Sequence, residues 1–147
     1  MTNLQPLRES IHRHWGRIAA AGRGIQLMEI CGTHTVAISR GGLRSLLPQG
    51  LRLVSGPGCP VCVTDQAYID QAVQLARENP QVVIATYGDM VRVPGRSGSL
   101  EQARSAGAKV KVVYAAHEAV KLAGRRGDRQ VVFLGIGFET TAPATAL

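Results

Sequence analysis

Aromatic residues and long apolar runs are both scarce in this chain of 147 residues. Phe, Trp and Tyr make up 4% of the residues, so the basic side chains lack the interleaved rings on which single-stranded nucleic acid stacks. The net charge of +7 comes almost entirely from scattered arginines, so nucleic-acid binding is not expected. The arginines indicate a solvated surface or, alternatively, an acidic protein partner. No apolar run approaches the roughly 20 residues of a membrane-spanning helix, so no membrane contact is expected.

Cysteine is sparse as well. The chain contains three cysteines, and this small, odd number does not suit a framework of paired disulfides. Residues 1–23 carry charge throughout and contain no apolar segment, so no secretory signal is expected there. The sequence therefore predicts a cytoplasmic protein whose cysteines are reduced thiols or metal ligands.

Several catalytic and nucleotide-binding motifs are also missing. No glycine-rich phosphate loop with a lysine occurs, and no nucleophile elbow occurs. The pair Gly135 and Gly137 lacks the third glycine of a dinucleotide-binding fingerprint. These absences leave the cysteines as the most informative residues.

Short apolar runs alternate with helical patterns five times along the chain. The strands are predicted at residues 25–30, 51–54, 82–86, 110–114 and 131–136. This alternation predicts the α/β class, with a mostly parallel sheet of about five strands and helices on both faces. We expect one domain over residues 1–147. Residues 140–147 begin a helix with no stop signal, which indicates the N-terminal part of a longer chain.

The residues of chemical interest follow the predicted strands directly. Cys31, Thr33, His34 and Thr35 follow the first strand, Cys59 and Cys62 the second, Asp89 the third, and Glu139 and Thr140 the fifth. In open parallel sheets, ligands bind at the carboxyl ends of the strands. We therefore expect the three cysteines at one edge of the sheet.

The segment GPGCPVC at residues 56–62 places two thiols three positions apart, just before a predicted helix at 65–77. The start of that helix is expected to favour thiolate over thiol. One interpretation is a redox pair formed by Cys59 and Cys62. Another is half of a metal site, completed by Cys31 and His34 as three thiolates and one imidazole for zinc. Soft thiolates also suit iron, so the spacing leaves these alternatives open.

The other candidates each have a structural and a chemical interpretation. His34 is either a hydrogen-bonded structural residue or a ligand or proton carrier. Thr33 and Thr35 are residue types that cap a helix. Glu139 is either a first-turn carboxylate or a general acid or base beside the thiols. Asp89 is more typical of a turn than of catalysis.

Four motifs in order resemble the HypD family of NiFe-hydrogenase maturation factors. They are CGTHT at 31–35, GPGCPVC at 56–62, TYGDM at 86–90 followed by RVPG at 92–95, and GFETT at 137–141. The resemblance implies a scaffold on which an iron centre with cyanide and carbon monoxide ligands, Fe(CN)2CO, is assembled. It also implies two partners, a HypC-like small chaperone and a HypE-like cyanide donor.

The resemblance also implies roles for individual residues. Cys31 resembles the iron-binding thiolate, and Cys59 and Cys62 resemble the paired thiols that act as a redox couple or as further iron ligands. His34 and Glu139 match positions that line the same cleft. Four further polar residues of these motifs are expected to bind the cofactor; they are Thr33, Thr35, Asp89 and Thr140.

Family members are longer and carry a four-iron four-sulfur cluster bound by cysteines near the C-terminus. All three cysteines of this chain belong to the motifs above, so ligands for that cluster are not among its residues. Two alternatives from other classes stay open. One is a structural zinc-binding interaction domain, and the other is a generic thiol–disulfide oxidoreductase.

Overall fold

The computed structural model describes residues 5–125, 127 and 130–146, and the last residue of the predicted C-terminal helix, Leu147, lies outside them. The chain divides into two compact units, one ending at Cys62 and one beginning at Val63. The single domain expected over residues 1–147 stays a prediction. No helix among the described residues is both long enough and apolar enough to cross a membrane.

The first unit is built on two strands that pair in parallel. These are β1 (Ile25–Glu29) and β2 (Leu51–Ser55), with Ile25 opposite Leu51 and Glu29 opposite Ser55. Its helices are α1 (Gln5–Ala20), α2 (Gly32–Arg40), α3 (Leu43–Leu46) and α4 (Pro60–Val63), and the boundary between the units falls inside α4. Because β1 and β2 run in the same direction, the loops that follow them leave from the same edge of the sheet.

The sequence pattern after β1 predicts one helix to about residue 47, but in the structure two short helices occupy this segment. Gly41 ends α2, and Gly42 adopts φ +59° before α3 begins. A glycine reaches this left-handed conformation without a steric penalty, so the pair of glycines turns the chain between two short helices.

The second unit contains the other three strands, all parallel, in the spatial order β4-β3-β5. The strands are β3 (Val82–Thr86), β4 (Val110–Val112) and β5 (Gln130–Leu134). The helices are α5 (Gln66–Glu78), α6 (Leu100–Ser105), α7 (Ala116–Gly124) and α8 (Ala142–Ala146). The α/β class, the five strands and the parallel pairing are therefore confirmed, with the strands divided between a two-stranded and a three-stranded sheet. Both β4 and β5 end two residues earlier than predicted.

The apolar core lies in the second unit. Every residue of β3 is buried, and Ile69 and Val73 of α5 and Leu100 of α6 are buried with it. In the first unit, by contrast, Pro48 is the one buried residue among those described. The central strand of the three-stranded sheet has a neighbour on each side, whereas each strand of the first unit has only one among the described residues.

Candidate functional site

The three cysteines come from the two loops that follow β1 and β2. Cys31 is the residue before α2 and has extended backbone angles. After β2 the chain turns at Gly58, with φ +94°, and Cys59 and Cys62 lie immediately before and within α4. The parallel pairing of β1 with β2 therefore places all three cysteines at one edge of the sheet, as the sequence predicted.

The three sulfur atoms form a compact triangle. The Sγ atoms of Cys59 and Cys62 are 3.1 Å apart, those of Cys31 and Cys62 are 3.5 Å apart, and those of Cys31 and Cys59 are 3.7 Å apart. Two thiolates that bind one tetrahedral metal ion at about 2.3 Å lie about 3.8 Å from each other. All three thiols are free, and the triangle can hold a single metal ion if it opens, by about 0.7 Å between Cys59 and Cys62 and by less at the other two separations.

The thiols differ in acidity. Hydrogen bonds from the Cys59 and Cys31 thiols and from the backbone N–H groups of Gly32 and Thr33 lower the pKa of Cys62 to about 7, with the Cys59 bond the largest cause. The same bond between the two side chains, together with burial, raises the pKa of Cys59. Cys62 is also the exposed member of the three. It is therefore the sulfur that most readily becomes a nucleophile or a metal ligand.

The source of this thiolate stabilisation differs from the one predicted. The sequence suggested the helix that follows the loop, which is α5. In the structure, the N–H groups that face the Cys62 sulfur belong to the first turn of α2, the helix that Cys31 precedes. An added Cβ at Gly32 would be 3.8 Å from the Cys62 sulfur, so the start of α2 approaches this cysteine closely.

Glu29 connects these loops through two hydrogen bonds, one to its backbone carbonyl and one to its side chain. The sequence interpretation missed both. The carbonyl of Glu29 accepts a 2.8 Å hydrogen bond from the N–H of Gly56, and an added Cβ at Gly56 would collide with that carbonyl oxygen. The carboxylate of Glu29 accepts a 2.5 Å bond from the Thr35 hydroxyl. The available signal was an acidic residue at the end of a mostly apolar strand.

Thr33, His34 and Thr35 lie in the first two turns of α2. The expectation that the threonines cap this helix is wrong, because Cys31 occupies the cap position and makes no side-chain capping bond. Thr33 and His34 are exposed, and Thr35 is half-buried. Among the described residues, the one group able to share a metal ion is the three cysteines, so the imidazole of His34 does not complete a four-ligand set.

The remaining candidates lie in the second unit, at the carboxyl edge of its own sheet. Asp89 belongs to the 3-10 turn Gly88–Arg92 that follows β3. Glu139 and Thr140 belong to the 3-10 turn Glu139–Thr141 that follows β5. All three residues are exposed. Because β3 pairs with β5 in parallel, both turns leave the same edge of this sheet, and the roles of these residues stay predictions.

Comparisons with known proteins identify relatives over most of the chain. The "Hydrogenase maturation factor HypD" of Rhizobium leguminosarum bv. viciae is 48% identical over 142 residues, which are 96% of this chain and 37% of that protein. The protein of the same name from Escherichia coli (strain K12) is 50% identical over 86% of this chain and 34% of its own length. That from Azotobacter vinelandii is 53% identical over 89% and 35%, respectively.

The chain spans about a third of the length of the curated relatives that it matches. The sequence model described as "HypD: Hydrogenase formation hypA family" matches residues 4–147, which is nearly the whole chain. The match includes both loops that carry the cysteines and both turns at the edge of the second sheet. The chain therefore belongs to the HypD family.

Proposed function

We propose that this chain acts in the maturation of NiFe-hydrogenase, as the part of a scaffold that holds an iron centre during its assembly. The iron with its cyanide and carbon monoxide ligands, Fe(CN)2CO, is the cargo of this scaffold. The observation that carries the proposal is the triangle of sulfurs at 3.1–3.7 Å, which brings three thiols close enough to share one ion after a small opening. The relatives are named hydrogenase maturation factors, which supports the same conclusion.

Within this proposal, Cys31 is the iron-binding thiolate. Cys59 and Cys62 are either further iron ligands or a dithiol that becomes a disulfide. Forming that disulfide releases two electrons and two protons. In the family, a four-iron four-sulfur cluster is the expected electron carrier, and its ligands are not among the residues of this chain. The low pKa of Cys62 supports its part in either role, because thiolate is the reactive form.

The proposal assigns roles to the other candidate residues as well. His34 and Glu139 serve as general acid or base, and Thr33, Thr35, Asp89 and Thr140 help to bind the cofactor. What supports these roles is that each residue follows a parallel strand at its carboxyl end, where ligands bind in α/β proteins.

The proposed partners are a HypC-like small chaperone and a HypE-like cyanide donor, acting in the cytoplasm. The net charge of +7 is unevenly distributed, which supports an acidic protein partner for the first unit. Up to Cys62 the sequence contains seven arginines and only two acidic residues, Glu9 and Glu29.

The first test is anaerobic co-purification with the small chaperone, followed by metal analysis and infrared spectroscopy of the cyanide and carbonyl stretching region. We expect stoichiometric iron with those bands. Cys31→Ala is expected to lose the iron while the fold survives. The control is Ser39→Ala in α2, the helix that follows Cys31, and this variant is expected to retain the iron. Stoichiometric iron in Cys31→Ala would count against Cys31 as the ligand, and tight zinc without the bands would favour a structural zinc site.

A generic thiol–disulfide oxidoreductase is the second candidate. The observation that favours it is the 3.1 Å separation of the Cys59 and Cys62 sulfurs, combined with the pKa of about 7 for Cys62. This function predicts reduction of unrelated protein disulfides without bound metal. Lack of turnover with such substrates, alongside retained iron binding, would exclude it.

A further inference from the structure

Glu29 is bonded to both of the segments that carry the thiols. Its carboxylate Oε1 accepts the 2.5 Å hydrogen bond from Thr35, which lies on the helix that begins after Cys31. Its carbonyl accepts the 2.8 Å bond from Gly56, which begins the loop to Cys59. One residue at the end of β1 therefore connects the two halves of the thiol cluster.

Thr35 makes two hydrogen bonds near the start of α2. The backbone N–H of Thr35 donates to the carbonyl of Cys31 at 3.1 Å, and its hydroxyl donates to Glu29. Thr35 is thus attached both to the residue before the helix and to the end of the strand. Because the first N–H groups of α2 face the sulfur of Cys62, a shift of this helix would change the surroundings of that sulfur.

The second carboxylate oxygen of Glu29 is in an unusual position. Oε2 is buried and has no hydrogen-bond partner among the described residues. A buried acceptor without a donor is unfavourable, and such groups in proteins call for an explanation. Glu29 is a carboxylate at the end of a mostly apolar strand, and its side chain makes a short hydrogen bond to Thr35. A need for this bond explains why a carboxylate is placed there.

We propose that Glu29 is a positioning residue of the thiol site, which acts through the Thr35 hydroxyl to hold the start of α2 so that Cys31 and Cys62 stay in contact. The inference rests on the proposed function in one respect, which is that the three thiols form the functional site. Thr35 then contributes by bonding Glu29, and its hydroxyl is not required to touch the cargo.

The first test measures the spacing of Cys31 and Cys62 without any metal. In a reduced, metal-free Cys59→Ser background, a short bis-alkylating reagent joins the two remaining thiols, and mass spectrometry gives the rate. Thr35→Val, which replaces the hydroxyl by a methyl group, is expected to slow this cross-linking about tenfold. Thr35→Ser keeps the hydroxyl and is expected to cross-link as the parent does.

Two further variants define the interaction. Glu29→Gln keeps an oxygen acceptor for the hydroxyl, so a rate within about twofold of the parent is expected if the bond to Thr35 is what matters. Thr145→Val is the matched control, because it makes the same replacement at a hydroxyl that donates to the carbonyl of Thr141 in the second unit. Equal cross-linking in Thr35→Val and its parent would overturn the proposal. If circular dichroism shows that Thr35→Val does not fold, Thr35→Ala replaces it.

The second test uses Co²⁺ as a spectroscopic probe of thiolate coordination in the chain with all three cysteines. Thr35→Val is expected to weaken Co²⁺ affinity about tenfold, with Thr35→Ser and Thr145→Val unchanged, because residues that orient metal ligands have effects of this size. An unchanged affinity in Thr35→Val would overturn the positioning role. Absence of Co²⁺ binding by the unmodified chain would argue against the proposed metal function instead, and the cross-linking rates would still decide the role of Glu29.

Discussion

Cys59 and Cys62 have opposite pKa shifts although only two residues separate them. The shared hydrogen bond between their sulfurs stabilises the thiolate of Cys62 and keeps the proton on Cys59. The start of α2 adds backbone N–H groups on the side of Cys62 alone. The two thiols are therefore not equivalent, and Cys62 is the one exposed to a reagent or partner.

We expect Cys62 to be the first cysteine alkylated by iodoacetamide in the metal-free protein. Its pKa of about 7 means that roughly half of it is thiolate at pH 7, and that its rate falls as the pH drops below that value. Cys59, whose pKa is raised, is expected to react only at higher pH. Peptide mass spectrometry after short alkylation at a series of pH values measures both. Faster labelling of Cys59 at pH 7 would contradict this assignment.

Gly56→Ala is expected to destabilise the protein by about 1–3 kcal/mol, because the new Cβ collides with the carbonyl of Glu29 and breaks the bond between the loops. The matched control is Gly16→Ala in α1, where an added Cβ meets nothing within 4 Å. This control is expected to be stabilising by about 0.5–1 kcal/mol, as alanine favours a helix. Urea unfolding measures both changes, and equal effects would contradict the close approach at Gly56.

At the residue scale, sequence patterns predict which cysteines converge but not how they differ. Convergence follows from their positions after parallel strands, which is a property of the βα rhythm. The difference between Cys59 and Cys62 depends on a helix from another loop, and the contribution of Glu29 depends on a bond to Thr35. The first contact arises only when β1 and β2 pair. The second joins residues six positions apart, across the turn from strand to helix, and the periodicity of neither element predicts it.

At the scale of single elements, the stability of the short helix α6 depends on its cap residue, Ser99. The hydroxyl of Ser99 accepts from the N–H of Gln102, and the side chain of Gln102 accepts from the N–H of Ser99. A six-residue helix has few internal hydrogen bonds, so this reciprocal cap is a large part of its stability.

Ser99→Ala is therefore expected to lower the free energy of unfolding by about 1 kcal/mol. Ser39→Ala is the control, since Ser39 is exposed within α2 and the substitution there is expected to stay within about 0.5 kcal/mol of the parent. Thermal or urea unfolding gives both values. Similar stabilities for the two variants would show that the cap does not determine the stability of α6.

The strands themselves could be predicted because β-branched runs and glycine-rich turns are local signals. Which strands pair could not, since the order β4-β3-β5 and the separate pair β1-β2 follow from how helices cover each sheet. The break between α2 and α3 was missed for a related reason. Two glycines are compatible with the end of a helix or with its interior, and the left-handed angle at Gly42 appears only in the fold.

At the scale of the whole molecule, burial is unequal between the two units. In the second unit, β3, α5 and α6 contain buried apolar side chains. In the first unit, Leu27, Met28 and Ile30, which lie in and just after β1, are about half exposed. Because protection from hydrogen exchange follows buried packing, amides of β3 are expected to exchange at least about a hundredfold more slowly than those of β1. Exchange measured by mass spectrometry or NMR tests this, and equal protection would contradict it.

Metal addition is expected to change that pattern in one unit only. An ion bound by the three thiols joins the ends of β1 and β2, so Co²⁺ should slow exchange in those strands and leave β3 unchanged. Removal of the ion with a chelator should restore the fast exchange. Uniform slowing across both units, or none in β1 and β2, would contradict binding at this site.

Cys31 and Cys59 are 28 residues apart in the chain, and an ion held by both would close that stretch into a ring. Closing a ring of this length removes about 3–4 kcal/mol of conformational freedom from the unfolded chain, as a disulfide would. The cargo would then serve as a reversible cross-link in the unit that has little apolar packing of its own. Under the proposed function, the first unit would be most ordered with the ion bound, and release of the ion would also loosen the site that held it.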